Sequence, residues 1–165
     1  MSRAFVKEND VEQAGIDIPE RPLSEEPNYV TPRGLKLLNQ NIDDLEKERE
    51  ALNDKKDDPM VRQKVAVIER DMRYFAARIE SAILTISKDE DPSQVLFGAK
   101  VTAEDEEGDL LTFEIVGEDE ANIHESRVSY LSPLAEALLG AAIGDEVVWE
   151  KPIGNSYLTI QKISY

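Results

Sequence analysis

Leu35, Leu38, Ile42, Leu45 and Leu52, then Asp57-Asp58-Pro59, then Val61, Val65, Ile68, Met72, Phe75, Ile79, Ala82 and Ile86 form the stretch whose spacing decides the fold. Apolar positions on both sides of the Asp-Asp-Pro step by three and four, interrupted only by Arg49. Such stepping describes two amphipathic helices that each present a narrow coiled-coil seam. A short connection joins antiparallel neighbours, so the pattern predicts an antiparallel coiled-coil hairpin over residues 31–87 with its tip near 54–60.

Working outward, the hairpin gains a start signal and loses it again at the far end. Thr31 precedes Pro32, and a Thr cap followed by proline at the first helical position satisfies the free backbone N–H groups there. Gly34 stands where a capping box would want Glu or Gln. A helix from Thr31 to Asp57 would rise roughly 40 Å at about 1.5 Å per residue. Lys55-Lys56 suit the negative end of its dipole, and Asp57-Asp58-Pro59 suits the positive end of the next helix.

The tip acids have two readings. Asp58 as cap with Pro59 at the first helical position is ordinary local chemistry, and capping needs only one carboxylate. A functional tip would instead offer Asp57 and Asp58 as hard oxygen ligands for Mg²⁺, an ion that keeps most of its waters and takes one or two protein carboxylates. The seam itself is equally consistent with a dimerisation element.

Composition narrows the classes. The chain has 165 residues, 41% of them hydrophobic, enough for a core or two small ones. Its beginning, Met1-Ser2-Arg3-Ala4-Phe5-Val6-Lys7-Glu8, is too polar for a signal peptide, and a cytoplasmic protein is expected. Without cysteine, neither disulfides nor thiolate zinc sites form. The net charge of −16 divides unevenly: −4 over residues 1–30, zero over 31–87 and −12 over 88–165. Phosphate binding needs clustered Lys and Arg, so the acidic half argues against DNA binding by this chain alone. It suits either a basic protein surface or plain solubility.

Residues 1–30 carry Pro19, Pro22 and Pro27 without a sustained apolar period and read as an extended or loosely docked arm, with Phe5, Val6 and Ile16 free to pack on the body. At the other end, Lys88-Asp89-Glu90-Asp91-Pro92 marks a domain boundary. Beyond it, Val95, Phe97, Ala99 and Val101 alternate, a polar Glu104-Asp105-Glu106-Glu107-Gly108 turn follows, and Leu111, Phe113 and Ile115 alternate again, the signature of a β-hairpin. Ser132-Pro133 opens a short helix that Gly140 closes. Val147-Val148-Trp149 and Tyr157-Leu158-Thr159-Ile160 are strands around a turn at Pro152-Ile153-Gly154-Asn155. The expected class is α+β, a helical hairpin followed by a small, mainly antiparallel β domain over 88–165 with one short helix.

These residues resemble a family. Phe113-Glu114-Ile115-Val116-Gly117-Glu118-Asp119-Glu120-Ala121, then Val128-Ser129, Ser132-Pro133-Leu134-Ala135, Ala137-Leu138-Leu139-Gly140, Gly144-Asp145 and Pro152-Ile153-Gly154 are similar to the C-terminal domain of the bacterial GreA/GreB transcript-cleavage factors. Thr31-Pro32-Arg33-Gly34-Leu35 resembles the start of that family's hairpin, and Arg78-Ile79 falls where its second helix carries an Arg-Ile or Arg-Leu pair. The resemblance spans about residues 30–165 and leaves out only the arm.

What it implies is a division of labour. An FKBP-like C-terminal domain docks on the rim of the RNA polymerase secondary channel, with Ser132, Pro133 and Leu131 in the contacting loop. The hairpin passes down the channel, and Asp57 and Asp58 help hold a second Mg²⁺ shared with the polymerase, which then cleaves backtracked RNA by two-metal chemistry. The chain is thus expected to be a monomeric elongation factor that is no enzyme itself and binds no cofactor alone. Counting back from Arg78 puts the family's tip Asp on Asp58 and its first Glu on Val61, and the hairpin is shorter by about two heptads, roughly 20 Å.

Two other functions fit the same residues. A secondary-channel regulator would occupy the channel without promoting cleavage. A coiled-coil scaffold would use the seam for another partner. The lone His124 lies in a polar loop, and no histidine partner, cysteine or Gly-rich phosphate loop supports covalent catalysis or nucleotide binding. Trp149 and the tyrosines read as packing residues.

Overall fold

The computed structural model describes residues 17–165, so the expected packing of Phe5, Val6 and Ile16 lies outside the described residues. The class is mixed α+β. In chain order the elements are β1 (Tyr29–Val30), α1 (Pro32–Ala51), α2 (Pro59–Glu80), β2 (Ile83–Leu84), β3 (Lys100–Glu104), β4 (Leu110–Val116), β5 (Arg127–Ser129), α3 (Pro133–Leu138), β6 (Glu146–Lys151) and β7 (Gly154–Ser164), with short 3-10 turns at Asn53–Lys55, Glu118–Glu120 and Ile123–Glu125. Two compact units result, one of residues 39–80 with the described part of the arm to Glu25, the other of residues 26–38 with 81–165. No helix among the described residues is long and apolar enough to cross a membrane.

In the helical unit the apolar repeat sits where its period requires. Ile68 is buried, and Ile42, Leu45, Leu52, Val61, Val65, Met72, Phe75 and Ile79 are half-buried. Arg49, the interruption, is also half-buried and lies 3.9 Å from Glu69, while Lys64 meets Glu48 at 2.9 Å. Both pairs join α1 to α2.

Two expectations about helix ends need correction. α1 stops at Ala51 and does not reach Asp57. Asn53 and Asp54 are weak helix formers whose side chains compete for backbone groups, and the chain tightens there into i→i+3 bonds: Leu52 N–H to Arg49 O, Lys55 N–H to Leu52 O and Asp58 N–H to Lys55 O. Lys55-Lys56 therefore lie beyond the last α-turn, whose basic residue is Arg49. α2 stops at Glu80, so Ala82 and Ile86 are not seam positions; Ile86 is 58% exposed.

The sheet unit is built on a five-stranded sheet of order β5-β4-β3-β7-β6. The expected hairpins are present: β3 pairs antiparallel with β4, Val101 opposite Phe113, and β6 with β7, Val148 opposite Tyr157. The first strand starts later than alternation suggests, because Gly98 takes a left-handed φ of 87° and turns the chain ahead of Lys100. Inward-facing Val101, Ala103, Phe113, Ile115, Leu158 and Ile160 form the core with Leu134, Ala135 and Leu138 of α3. Each fully buried Leu or Ile contributes about 1.5–3 kcal/mol. Trp149 stacks edge-on to Phe113 at 5.9 Å, the packing role expected of it.

Alternation did not disclose two parallel pairings. β5 runs parallel to β4, and β1 runs parallel to β2, with Tyr29 opposite Ile83 and Val30 opposite Leu84. The second pair ties together the chain segments that precede α1 and follow α2. Behind it, Tyr29 packs against Phe97 and Tyr130 at ring distances of 5.9 and 5.5 Å, and the Tyr130 hydroxyl donates to the Pro27 carbonyl. The Tyr29 carbonyl lies so close to Gly117 that a Cβ there would overlap it, which explains the glycine between β4 and the next turn.

The start of α1 is held by a buried acid. Thr31 caps as expected, its Oγ1 accepting the Gly34 N–H at 2.9 Å, and the same hydroxyl donates to Glu120 Oε2 at 2.5 Å. Glu120 Oε1 takes Arg33 Nε at 2.6 Å, and Arg33 Nη2 reaches Glu114 Oε1 at 2.6 Å. Glu120 is only 4% exposed, and a Cβ on Gly34 would sit 2.7 Å from its Oε2. An acid from the turn after β4 thus holds the cap hydroxyl and the Arg33 guanidinium, and Gly34 makes room for it. Burial works against the Arg33 charge, but its bonds to Glu114 and Glu120 outweigh this and raise its pKa.

Replacing Glu120 leaves a buried Thr hydroxyl and a guanidinium arm without their acceptor, whereas Glu114 is a partly solvated partner. Glu120→Ala is expected to destabilise the sheet unit by about 2–4 kcal/mol. Glu114→Ala should cost under about 1 kcal/mol. Urea titrations followed by Trp149 fluorescence separate the two, and equal losses would refute this account of the network.

Candidate functional site

The connection between α1 and α2 carries the tip acids. Asp58 is the cap of α2: its Oδ1 accepts the Met60 N–H at 2.9 Å and its carbonyl accepts the Arg62 N–H at 3.0 Å. Pro59 takes the first helical position, where its missing N–H costs nothing. Asp57, one residue earlier, is exposed, and its carboxylate makes no hydrogen bond or ion pair among the described residues. One side chain therefore does the structural work, while the other is left to solvent.

The surroundings temper the charge of this tip. Asp54, Lys55, Lys56, Asp57 and Asp58 are all exposed, so three acids share the turn with two lysines. Val61, on the first turn of α2, is half-buried. Met60 is 80% exposed and puts an apolar side chain beside the acids. No group of three or more His, Asp or Glu among the described residues forms a cluster able to hold a metal ion. The donor set at the tip fits a divalent cation only as a minority share, with most ligands coming from elsewhere.

The second locus is the loop before α3. Ser132 caps that helix, its Oγ accepting the Ala135 N–H at 3.2 Å, and its own N–H bonds the Ser129 carbonyl at 2.9 Å. Leu131 is half-buried, with its N–H on Ser129 Oγ at 3.2 Å, and Pro133 is exposed. Two successive backbone N–H groups of the loop, those of Leu131 and Ser132, are thus both held by Ser129. His124 is exposed in its 3-10 turn, where its backbone N–H bonds Asn122 Oδ1 at 3.1 Å.

A third feature lies in the arm. Ile18 and Arg21 are half-buried while Asp17, Pro19 and Glu20 are exposed. Glu20 meets Arg73 of α2 through two bonds, Oε1 to Nη2 at 2.5 Å and Oε2 to Nε at 3.2 Å. The Arg73 guanidinium holds the Glu20 carboxyl below the usual carboxylate range. Arg21 lies 3.7 Å from Asp71 and stacks 3.8 Å above the Tyr74 ring. Periodicity could not signal this contact, because a proline-flanked dipeptide has none; the prolines themselves were the only hint.

Residues 89–165 match the family described as transcription elongation factor, GreA/GreB, C-term. The transcription elongation factor GreA of Vibrio cholerae serotype O1 is 34% identical over 151 residues, covering 82% of this chain and 96% of that protein. The transcription elongation factor GreB of Neisseria meningitidis serogroup B is 31% identical over 157 residues, covering 86% and 96%. Among solved structures, a prokaryotic transcription elongation factor GreA/GreB from Nitrosomonas europaea aligns with a TM-score of 0.42 at 21% identity, over 84% of this chain and 99% of that one.

The two tip acids differ in what they do for the fold. Asp58→Ala should cost about 1 kcal/mol, as cap removals do, and Asp58→Asn should retain most of that. Asp57→Ala should stay within about 0.5 kcal/mol of the parent. Thermal melts followed by helical circular dichroism test this, and a loss at Asp57 as large as at Asp58 would contradict the assignment of the cap.

Proposed function

This chain belongs to the GreA/GreB family of transcription elongation factors, and we propose on that premise that it binds RNA polymerase and acts through the secondary channel. In this reading α1 and α2 are an antiparallel coiled-coil hairpin that reaches down the channel. The sheet unit, read as FKBP-like, docks on the rim through Leu131, Ser132 and Pro133. The factor works as a cytoplasmic monomer, stimulates cleavage of backtracked RNA and leaves the bond-breaking to the polymerase.

The observation that carries this reading is the exposed Asp57-Asp58 pair at the turn between the helices. Asp57 offers an unbonded carboxylate, and Asp58 keeps Oδ2 free while Oδ1 holds the helix. Because the cap fixes the Asp58 side chain, that oxygen is presented in one orientation at little entropic cost. A Mg²⁺ shared with polymerase carboxylates would activate a water and stabilise the leaving oxygen. The tip residues only complete such a coordination sphere. The charge distribution agrees: a factor held by a protein needs no phosphate-binding face of its own.

A second reading is favoured by Lys55, Lys56 and Val61. Two lysines beside the acids weaken attraction for a cation, and the Val61 position brings no carboxylate. A hairpin with this tip can occupy the channel and compete with cleavage factors without promoting cleavage.

One assay separates the readings. Purified protein added to stalled, backtracked elongation complexes is expected to raise transcript cleavage, and Asp57→Ala with Asp58→Asn should reduce that stimulation by about tenfold or more while binding persists. Inhibition of cleavage driven by another factor, unchanged in the double variant, selects the competitor. Absence of binding to core polymerase at low salt, with a dimeric mass in solution, selects the scaffold.

A further inference from the structure

The arm contact on α2 lies outside the family match and does nothing for the core. Pro19 fixes the backbone angle before Glu20, and Pro22 restricts Arg21 to extended conformations, so the Glu20-Arg21 dipeptide is stiff before it binds. Ile18 and Arg21 are three residues apart, one turn of an extended proline-type helix, and these are the two that turn inward. The helix answers with reversed charges: Arg73 takes Glu20, Asp71 faces Arg21, and the rings of Tyr74 and Phe75 lie 3.8 and 5.3 Å from the Arg21 guanidinium. Two opposed ion pairs and a cation–π contact thus meet within one helical turn and a half, beside a half-buried Ile18. This is a complementary interaction surface with its occupant in place.

Its strength and position define what it can do. Glu20 is 61% exposed and Arg73 57%, so the pair is screened by salt and readily exchanged for water. Asp71 lies twelve residues along α2 from Pro59, about 18 Å of helix axis. Two packed helices, each about 10–12 Å across, present a narrow section ahead of that point. Behind it the arm adds a third chain to the girth.

We infer that residues 18–22 form a releasable collar on α2, which limits how deeply the helical pair can enter a close-fitting channel and must detach for deeper insertion. This rests on the channel reading above. The collar acts on depth, and therefore on whether Asp57 and Asp58 reach their destination. An intact collar favours shallow occupancy; a released one favours delivery of the tip.

The test uses the full-length protein, Arg21→Ala on the arm side and Arg73→Ala on the helix side. Helical circular dichroism and melting confirm that both variants keep their helices. Cleavage after Glu20 by a glutamate-specific protease reports release, and both variants are expected to be cut about threefold to tenfold faster than the parent. Their affinity for bacterial core RNA polymerase, and tip crosslinking from residue 57 to the polymerase, should rise by a similar factor. Faster proteolysis with unchanged affinity and unchanged crosslinking overturns the collar alone. Unchanged proteolysis overturns the latch itself. If neither parent nor variants bind the polymerase, the channel reading fails and the collar with it, while the protease result still decides whether the arm is latched.

Discussion

The Glu120 carboxylate, shared between the Thr31 hydroxyl and the Arg33 guanidinium, is the interaction on which the sheet unit's hold on α1 depends. A helix leaves its first N–H groups unpaired and partly positive, and an acid placed there is stabilised by both. Here the acid is 4% exposed, so it is stable only while its two donors stay in place. That reciprocity fixes the position of Gly34, whose missing side chain is the space the carboxylate occupies. It also fixes the turn of residues 118–120, which must present Glu120 inward while Glu118 and Asp119 point elsewhere.

Much of this architecture was legible because it is periodic. The half-buried apolar positions of α1 and α2, the Val101 to Phe113 hairpin, the Val148 to Tyr157 hairpin and the Ser132 cap all follow from spacings of two, three and four or from local cap chemistry. What escaped is non-local or competitive. Thr31 and Glu120 are 89 residues apart, so no window of sequence contains the bond. The parallel pairing of Tyr29-Val30 with Ile83-Leu84 involves strands of two residues, too short to alternate. α1 ended early because Asn53 and Asp54 outcompeted a repeat that still placed Leu52 on the seam.

The candidate site was legible in place more than in role. Asp57 and Asp58 stand at the turn, where proline and adjacency put them, and geometry bears out the capping role for Asp58, whose Oδ1 is bonded while Asp57 is not. Leu131 and Ser132 are half-buried while Pro133 is exposed, a difference that their spacing does not carry. The arm contact was the least accessible feature, since it depends on which face of α2 carries Asp71, Arg73 and Tyr74.

The parallel pairing of β1 with β2 has a consequence for how such proteins change length. It brings the two ends of the segment 31–82 to neighbouring strands, about 4.8 Å apart. Residues 39–80 are then a closed excursion of the chain that leaves the sheet unit and returns to it. Closing a longer or shorter excursion changes the free energy only logarithmically. Whole heptads can therefore be gained or lost in register across both helices without asking anything of the sheet, its core or the Glu120 network. Reach becomes a separately adjustable property of the segment between β1 and β2.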